Sequence, residues 1–130
     1  MKILDSDHCI AILRGQLDLR DKISPDDELA ITTISIGELA HGAHRSKTPM
    51  DNLARLDVLL ASLIVLPYDE NCARRFGLLK AGLETAGKPL HDLDLQIASI
   101  AMENNALLLT HNQKHFERIE SLTLEDWLEK

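Results

Sequence analysis

The chain has 130 residues, 45% hydrophobic, 27% charged and only 3% aromatic, with a formal net charge of −7. That is the size of one ordinary domain with enough apolar residues to build a core without staples, and it excludes disorder, collagen-like repeats and a membrane protein. The acidic balance excludes broad, sequence-blind binding to nucleic acid, which needs a basic surface, but it leaves room for a local acidic cleft in which a divalent cation meets phosphate.

The opening MKILDSDH has one Lys followed by acids, which fits neither a secretory signal nor a transit peptide, so the cytoplasm is the expected compartment. Ile3-Leu4 is a short strand candidate ending at Asp5, and Cys9, Ile10, Ile12 and Leu13 predict a short helix after it. Residues 16–24 read as a second short helix before the Ser24-Pro25-Asp26-Asp27 turn. Residues 29–33 are β-branched and strand-like. A helix is predicted from Ser35, with Ile36, Leu39, Ala40 and Ala43 on one stripe. Another follows Pro49, with Leu53, Leu56, Leu59, Leu60 and Leu63 at heptad-like spacing. Residues 63–66 fit a buried parallel strand, and 70–86 a long helix closed by Gly87-Lys88-Pro89. A second long helix starts near His91, residues 106–110 form another buried strand, and 122–124 a last short one. This alternation implies βαβ units: a single α/β domain over 1–130 with a mainly parallel, roughly five-stranded sheet covered on both faces. The functional groove of such a sheet lies beyond the carboxyl ends of its strands.

Several polar residues fall at that edge. Asp5 reads equally as a helix N-cap and as a site carboxylate, with Asp7 two positions on. Glu38 completes Ser35-x-x-Glu38, a capping-box pattern, and spacing alone favours the cap. Asp92 and Asp94 both suit the first turn of a helix, but only Asp94 lies beside the apolar stripe, where burial would call for a cationic partner. Asn112 follows the last long strand and suits a turn as well as a ligand or water contact. His41 and His44, like His111 and His115, have helical zinc-ligand spacing, yet neither pair has a third ligand nearby, and solvated surface residues are expected. Cys9 and Cys72 lack a CxxC partner or a nucleophile's setting and read as apolar fillers. No GxGxxG, GxxxxGK[ST] or GxSxG pattern occurs.

With Asp5, Glu38 and Asp94 in this order, the sequence resembles the PIN-domain ribonucleases, in particular the VapC-type toxins of bacterial toxin–antitoxin pairs. The resemblance runs nearly end to end, through ILDSDH, ITTISIGELAHGAHRS, VLPYDE, GKPLHDLDLQIASIA, LLLTHNQKHFERI and LTLEDW. The E-L-x-x-G context at Glu38 displaces the capping preference, because the family places its second acid there. The resemblance implies a three-layer α/β/α fold in which Asp5, Glu38 and Asp94 bind Mg²⁺ or Mn²⁺ and RNA is hydrolysed to 5′-phosphate ends. It departs from many PIN domains at Asn112, where a fourth acid is common, and Asp92 is a possible substitute. Asp7 falls where a small polar residue is usual, which implies a supporting role. Arg14, Arg45, Lys47 and Lys114 flank the acid motifs and are candidate phosphate contacts.

The segment 35–63 carries more apolar surface than one sheet face needs, and the resemblance supplies two occupants: a homodimer partner and a VapB-type antitoxin whose C-terminal segment covers the groove. Two other readings compete. A receiver-like phosphoacceptor module would need an Asp after the third strand and a Lys after the last, which Asp69 and Lys114 fit poorly. A haloacid-dehalogenase-type phosphatase would use the first Asp of Asp-x-Asp as nucleophile but leaves Glu38 and Asp94 without a role.

Overall fold

The computed structural model describes residues 1–128, all but the last two of the expected domain span. Its strands are β1 (Lys2–Leu4), β2 (Leu29–Thr32), β3 (Ile64–Leu66), β4 (Leu107–Leu109) and β5 (Leu124–Glu125). They form one wholly parallel sheet in the order β3-β2-β1-β4-β5. Because successive strand side chains point to opposite faces, each strand feeds two cores. Ile3, Ala30, Leu66 and Leu108 face one, Leu4, Leu29, Ile31 and Leu109 the other. The first is closed by α4 (Glu70–Thr85) and α5 (Asp92–Glu103) through Cys72, Leu83, Leu95, Ala98 and Ile100. The second is closed by α1 (Ser6–Leu13), α2 (Thr33–His44) and α3 (Pro49–Ala61) through Cys9, Leu39, Leu56 and Leu59. The result is the expected α/β/α sandwich. Both cysteines are buried and unpaired, as apolar fillers should be. Among the described residues, no helix is long and apolar enough to cross a membrane.

Three local expectations change. The run at 63–66 makes an edge strand that pairs only with β2, and Ile64 and Val65 are 39% and 44% exposed. The helix expected in 16–24 contracts to a 3₁₀ turn at Leu19–Asp21, because Gly15 at φ +70° ends α1 and the Asp18 carboxylate takes the Arg20 N–H and guanidinium for itself. Helix α2 starts two residues early: Thr32 is its N-cap, and the Thr32 hydroxyl accepts the Ser35 N–H at 3.1 Å. The Ser35–Glu38 capping box therefore does not form, and Glu38 sits inside the helix with its carboxylate available elsewhere.

Helix α4 shows the same capping chemistry in a form that can be tested. Asp69 accepts the Cys72 N–H at 2.9 Å, and that bond holds its carboxyl below the usual value of 3.8. A carboxylate favoured in the folded state stabilises above its unfolded pKa, and this support fades as pH falls through the lowered folded value. Asp69→Ala is therefore expected to lower the melting temperature by a few degrees at pH 7, and the gap to wild type should close in acid below the ordinary aspartate range. Parallel thermal melts across pH 2–7 check this.

The strand order also fixes where ligands meet the sheet. From β1 the chain winds outward through β2 and β3, then returns to add β4 and β5 on the other side. The topological switch point, where a crevice opens beyond the carboxyl edge, lies between β1 and β4.

Candidate functional site

Asp5 stands in that crevice. Its N–H donates to the Leu109 carbonyl of β4 at 3.1 Å, and its side chain caps α1. The carboxylate Oδ1 accepts both the His8 N–H at 2.9 Å and the His8 ring Nδ1–H at 2.8 Å. These bonds use one oxygen and leave Oδ2 without a donor among the described residues. Asp5 is 8% exposed and His8 fully buried. His8 Nε2 faces the Trp127 N–H at 3.1 Å and Asp126 Oδ1 at 3.6 Å; a backbone N–H cannot accept, so the shorter contact, together with the Nδ1 contact to Asp5, fits the tautomer with the proton on Nδ1. The dryness of the surroundings shows in the neighbouring Cys9 thiol, pushed up to about 12 by burial and then by the Asp5 charge.

Glu38 and Asp94 approach the same groove from other helices. Ser6, the first residue of α1, donates its hydroxyl to Glu38 Oε1 at 3.0 Å, so the second acid is tied to the residue next to Asp5. Asp94 lies in the first turn of α5 with its side chain 28% exposed. Burial pushes its carboxyl above the usual value; His115 and His91 pull it down, and the Asp5 charge pushes it up again. His115 Nδ1 stands 3.9 Å from Asp94 Oδ2.

The remaining candidates separate. Asp92 is turned to α4, where Lys80 Nζ holds Oδ1 at 2.9 Å, so it is committed to an ion pair away from Asp94. Asn112 starts α6 (Gln113–Phe116) without a side-chain cap bond, and its N–H donates to Thr110 Oγ1 at 3.1 Å. Asp7 is exposed on α1, and its charge is felt by His111. His111 and His115 are exposed, as expected, and each also meets an acid: His115 stands beside Asp94, and His111 Nδ1 lies 2.8 Å from Asp126 Oδ2, a contact that raises the imidazole pKa. Burial raises the Asp126 carboxyl, but the Leu128 N–H and His111 outweigh it and leave it below the usual range. His8 itself was passed over in the sequence. Its signal was the Asp5-x-x-His8 spacing, which puts a ring nitrogen back over the capping residue.

The donor set of Asp5, Glu38 and Asp94 is all carboxylate oxygen, which suits a hard cation such as Mg²⁺ or Mn²⁺ and not a thiolate-seeking metal. The like charges of Asp5 and Asp94, one buried and one largely so, are what a cation would offset. The acids do not form a closed cage: among the described residues, no three His, Cys, Asp or Glu side chains are grouped to hold an ion. Beside them, α1, α2 and α3 line a cleft of about 560 Å³ that includes Ser6, Asp7, Arg14, Glu38, Asn52 and Arg55. Arg14 is thus within the cleft, while Arg45 ends α2 and Lys114 lies on α6.

Residues 2–122 match the family model described as PIN domain. The chain is 33% identical over 129 residues to a Rickettsia felis protein named Ribonuclease VapC2, covering 96% of each. It is 32% identical over 127 residues to the tRNA(fMet)-specific endonuclease VapC of Salmonella typhimurium, again covering 96% of each. In three dimensions it resembles a chain of the crystal structure of VapBC2 from Rickettsia felis bound to a DNA fragment from their promoter, with a TM-score of 0.89, 32% identity and coverage of 97% and 98%.

Proposed function

Since this chain belongs to the PIN-domain family, we propose that it is a metal-dependent endoribonuclease, the toxin of a VapB–VapC type toxin–antitoxin pair, and that Asp5, Glu38 and Asp94 form its catalytic centre. The observation that supports the reading is full-length similarity to proteins named ribonuclease and endonuclease, beside Asp5 at the β1/β4 switch point, Glu38 bonded to the adjacent Ser6, and Asp94 close enough to feel the Asp5 charge.

Asp5, Glu38 and Asp94 would hold Mg²⁺ or Mn²⁺, with Asn112 a candidate for an outer contact. When bound, such a cation supplies Lewis acidity at the phosphate and lets several carboxylates stay ionised side by side. The chain's own residues supply the rest. Buried Asp5, with one oxygen fixed by two hydrogen bonds, offers a rigid anchor, and Glu38 is kept in reach by Ser6. Arg14, which lines the cleft with Glu38, would contact an RNA phosphate, and Arg45, Lys47 and Lys114, outside the cleft, are further candidates. A few such local contacts would let an acidic protein bind RNA through its phosphates. The partner follows from the solved relative, which is a VapBC complex. Here the cleft between α1, α2 and α3 would receive the antitoxin, and a second copy of the chain would cover the exposed apolar residues Met50 and Val58 on α3.

The test is cleavage of total RNA and of purified transfer RNA by the isolated chain, with Mg²⁺ or Mn²⁺ against EDTA. Discrete fragments with 5′-phosphates, lost on chelation and restored by added metal, are expected. Cleavage that persists unchanged in EDTA would remove the metal from the reading, and no cleavage of any RNA alongside labelling by acetyl phosphate would favour the phosphoacceptor module.

A further inference from the structure

We propose that His8 is a positioning residue through which the tail of the chain, at Trp127, sets the orientation of the Asp5 carboxylate. The inference rests on the catalytic reading of Asp5 and adds to it a residue and a route. His8 is completely buried, yet both ring nitrogens are used: Nδ1–H donates to Asp5 Oδ1, and Nε2 accepts from the Trp127 N–H. Burying an imidazole costs desolvation that an aliphatic side chain of similar volume would avoid, so packing alone does not select histidine here. The ring bridges two groups that neither helix capping nor core packing brings together. The Asp5 oxygen it binds is the one that already accepts the helix N–H, so both donors pin Oδ1 and leave Oδ2 without a donor among the described residues.

Trp127 is itself firmly placed. Its indole Nε1–H donates to Glu125 Oε1 at 2.6 Å, the Lys2 ammonium lies 5.3 Å from its ring centre, and it is 6% exposed in the core shared with α1 and α3. Next to it, the Asp126 carboxylate accepts the Leu128 N–H, pairs with His111 and brings Oδ1 to 3.6 Å from His8 Nε2, so the tail side of the ring meets this carboxylate as well as the Trp127 N–H. Residues 125–128 therefore form a hydrogen-bonded bracket, and His8 is the strut from it to Asp5. Outer hydrogen-bond partners of a metal-facing carboxylate typically matter by about 10–100-fold in affinity or rate.

Two substitutions divide the strut at its middle. In His8→Asn the amide nitrogen falls near the place of Nδ1 and can still donate to Asp5, but nothing reaches Trp127. In His8→Gln the amide oxygen falls near the place of Nε2 and can serve the Trp127 N–H, but Asp5 loses its donor. Mn²⁺ binding to the full chain without RNA, read by electron paramagnetic resonance, and kcat and KM for RNA cleavage should be measured for both variants beside Asp5→Asn. Expected for His8→Gln are Mn²⁺ binding and kcat about 10–100-fold down with KM close to wild type, and for His8→Asn values within a few-fold of wild type. Nitrogen-15 spectra of the wild-type imidazole should show the Nδ1–H tautomer, a readout that needs no variant to fold.

Wild-type values for His8→Gln, an equal loss in both variants, or an Nε2–H tautomer would each overturn the proposal. The catalytic reading fails separately, if Asp5→Asn cleaves RNA as wild type does.

Discussion

Asp5→Asn and Asp94→Asn should each lower metal-dependent RNA cleavage by on the order of 10³-fold, as expected when a centre that works by charge and positioning loses one of the carboxylates holding its cation. The two differ in what they do to the fold. Asn is as good an N-cap as Asp, so Asp5→Asn keeps the acceptor for the His8 N–H and should melt near wild type. Asp94→Asn should melt higher than wild type at neutral pH. The sign follows from its raised carboxyl pKa: the folded state holds the proton more tightly than the unfolded chain, so stability falls as pH rises through the folded value, and a neutral amide escapes that loss. Activity lost with stability kept or gained separates a functional acid from a structural one. A variant that loses both together would count against the assignment.

The largest stability effect should come from the centre of the sheet. Leu108 is fully buried in the middle of β4, between β1 and β5, and packs into the core closed by α4 and α5. Leu108→Ala removes that side chain from a site that strands on both sides prevent from collapsing, at a cost of about 3 kcal/mol and a drop of roughly 10 °C in melting temperature. Val58 on α3, 75% exposed, is the control, and Val58→Ala should change stability by less than about 0.5 kcal/mol. Urea unfolding of the three proteins measures both. Equal stability of all three would mean that the β4 core is not as tightly closed as the burial of Leu108 implies.

Much of this architecture was legible because it is written locally. The Leu29–Thr32 strand, the long helices after Asp69 and His91, and the Gly87 break each carry their signal within a dozen residues. What stayed hidden depends on partners far away in the chain. An apolar run such as 64–66 looks the same whether one flank or both are covered, so the edge position of β3 could not be read. Thr32 and Ser35 are both capping residues, and nothing local says which of them begins the helix. The choice decides whether Glu38 is a cap or a free carboxylate. Asp5 presented a false alternative between cap and site: one oxygen serves the cap, and the other remains. Asp92 and Asp94 point to different sides of α5 as residues two apart must, but the Lys80 that claims Asp92 comes from another helix. The family resemblance singled out three acids. It did not supply their surroundings, in which Glu38 is bonded to Ser6 and, among the described residues, no three His, Cys, Asp or Glu side chains form a ready cage.

The bond between His8 and Trp127 joins residues 119 positions apart, and β1 can find its neighbours only through long parallel crossovers. Contacts of such separation carry the full entropy of loop closure and make for slow folding. During synthesis, which adds on the order of 5–20 residues per second, Asp5 emerges long before the residue that braces its histidine. A chain still threaded through the ribosome has its first acid in hand but not the bracket that fixes it. The surroundings of Asp5 are complete only once Trp127 has joined the fold, long after Asp5 itself has been made.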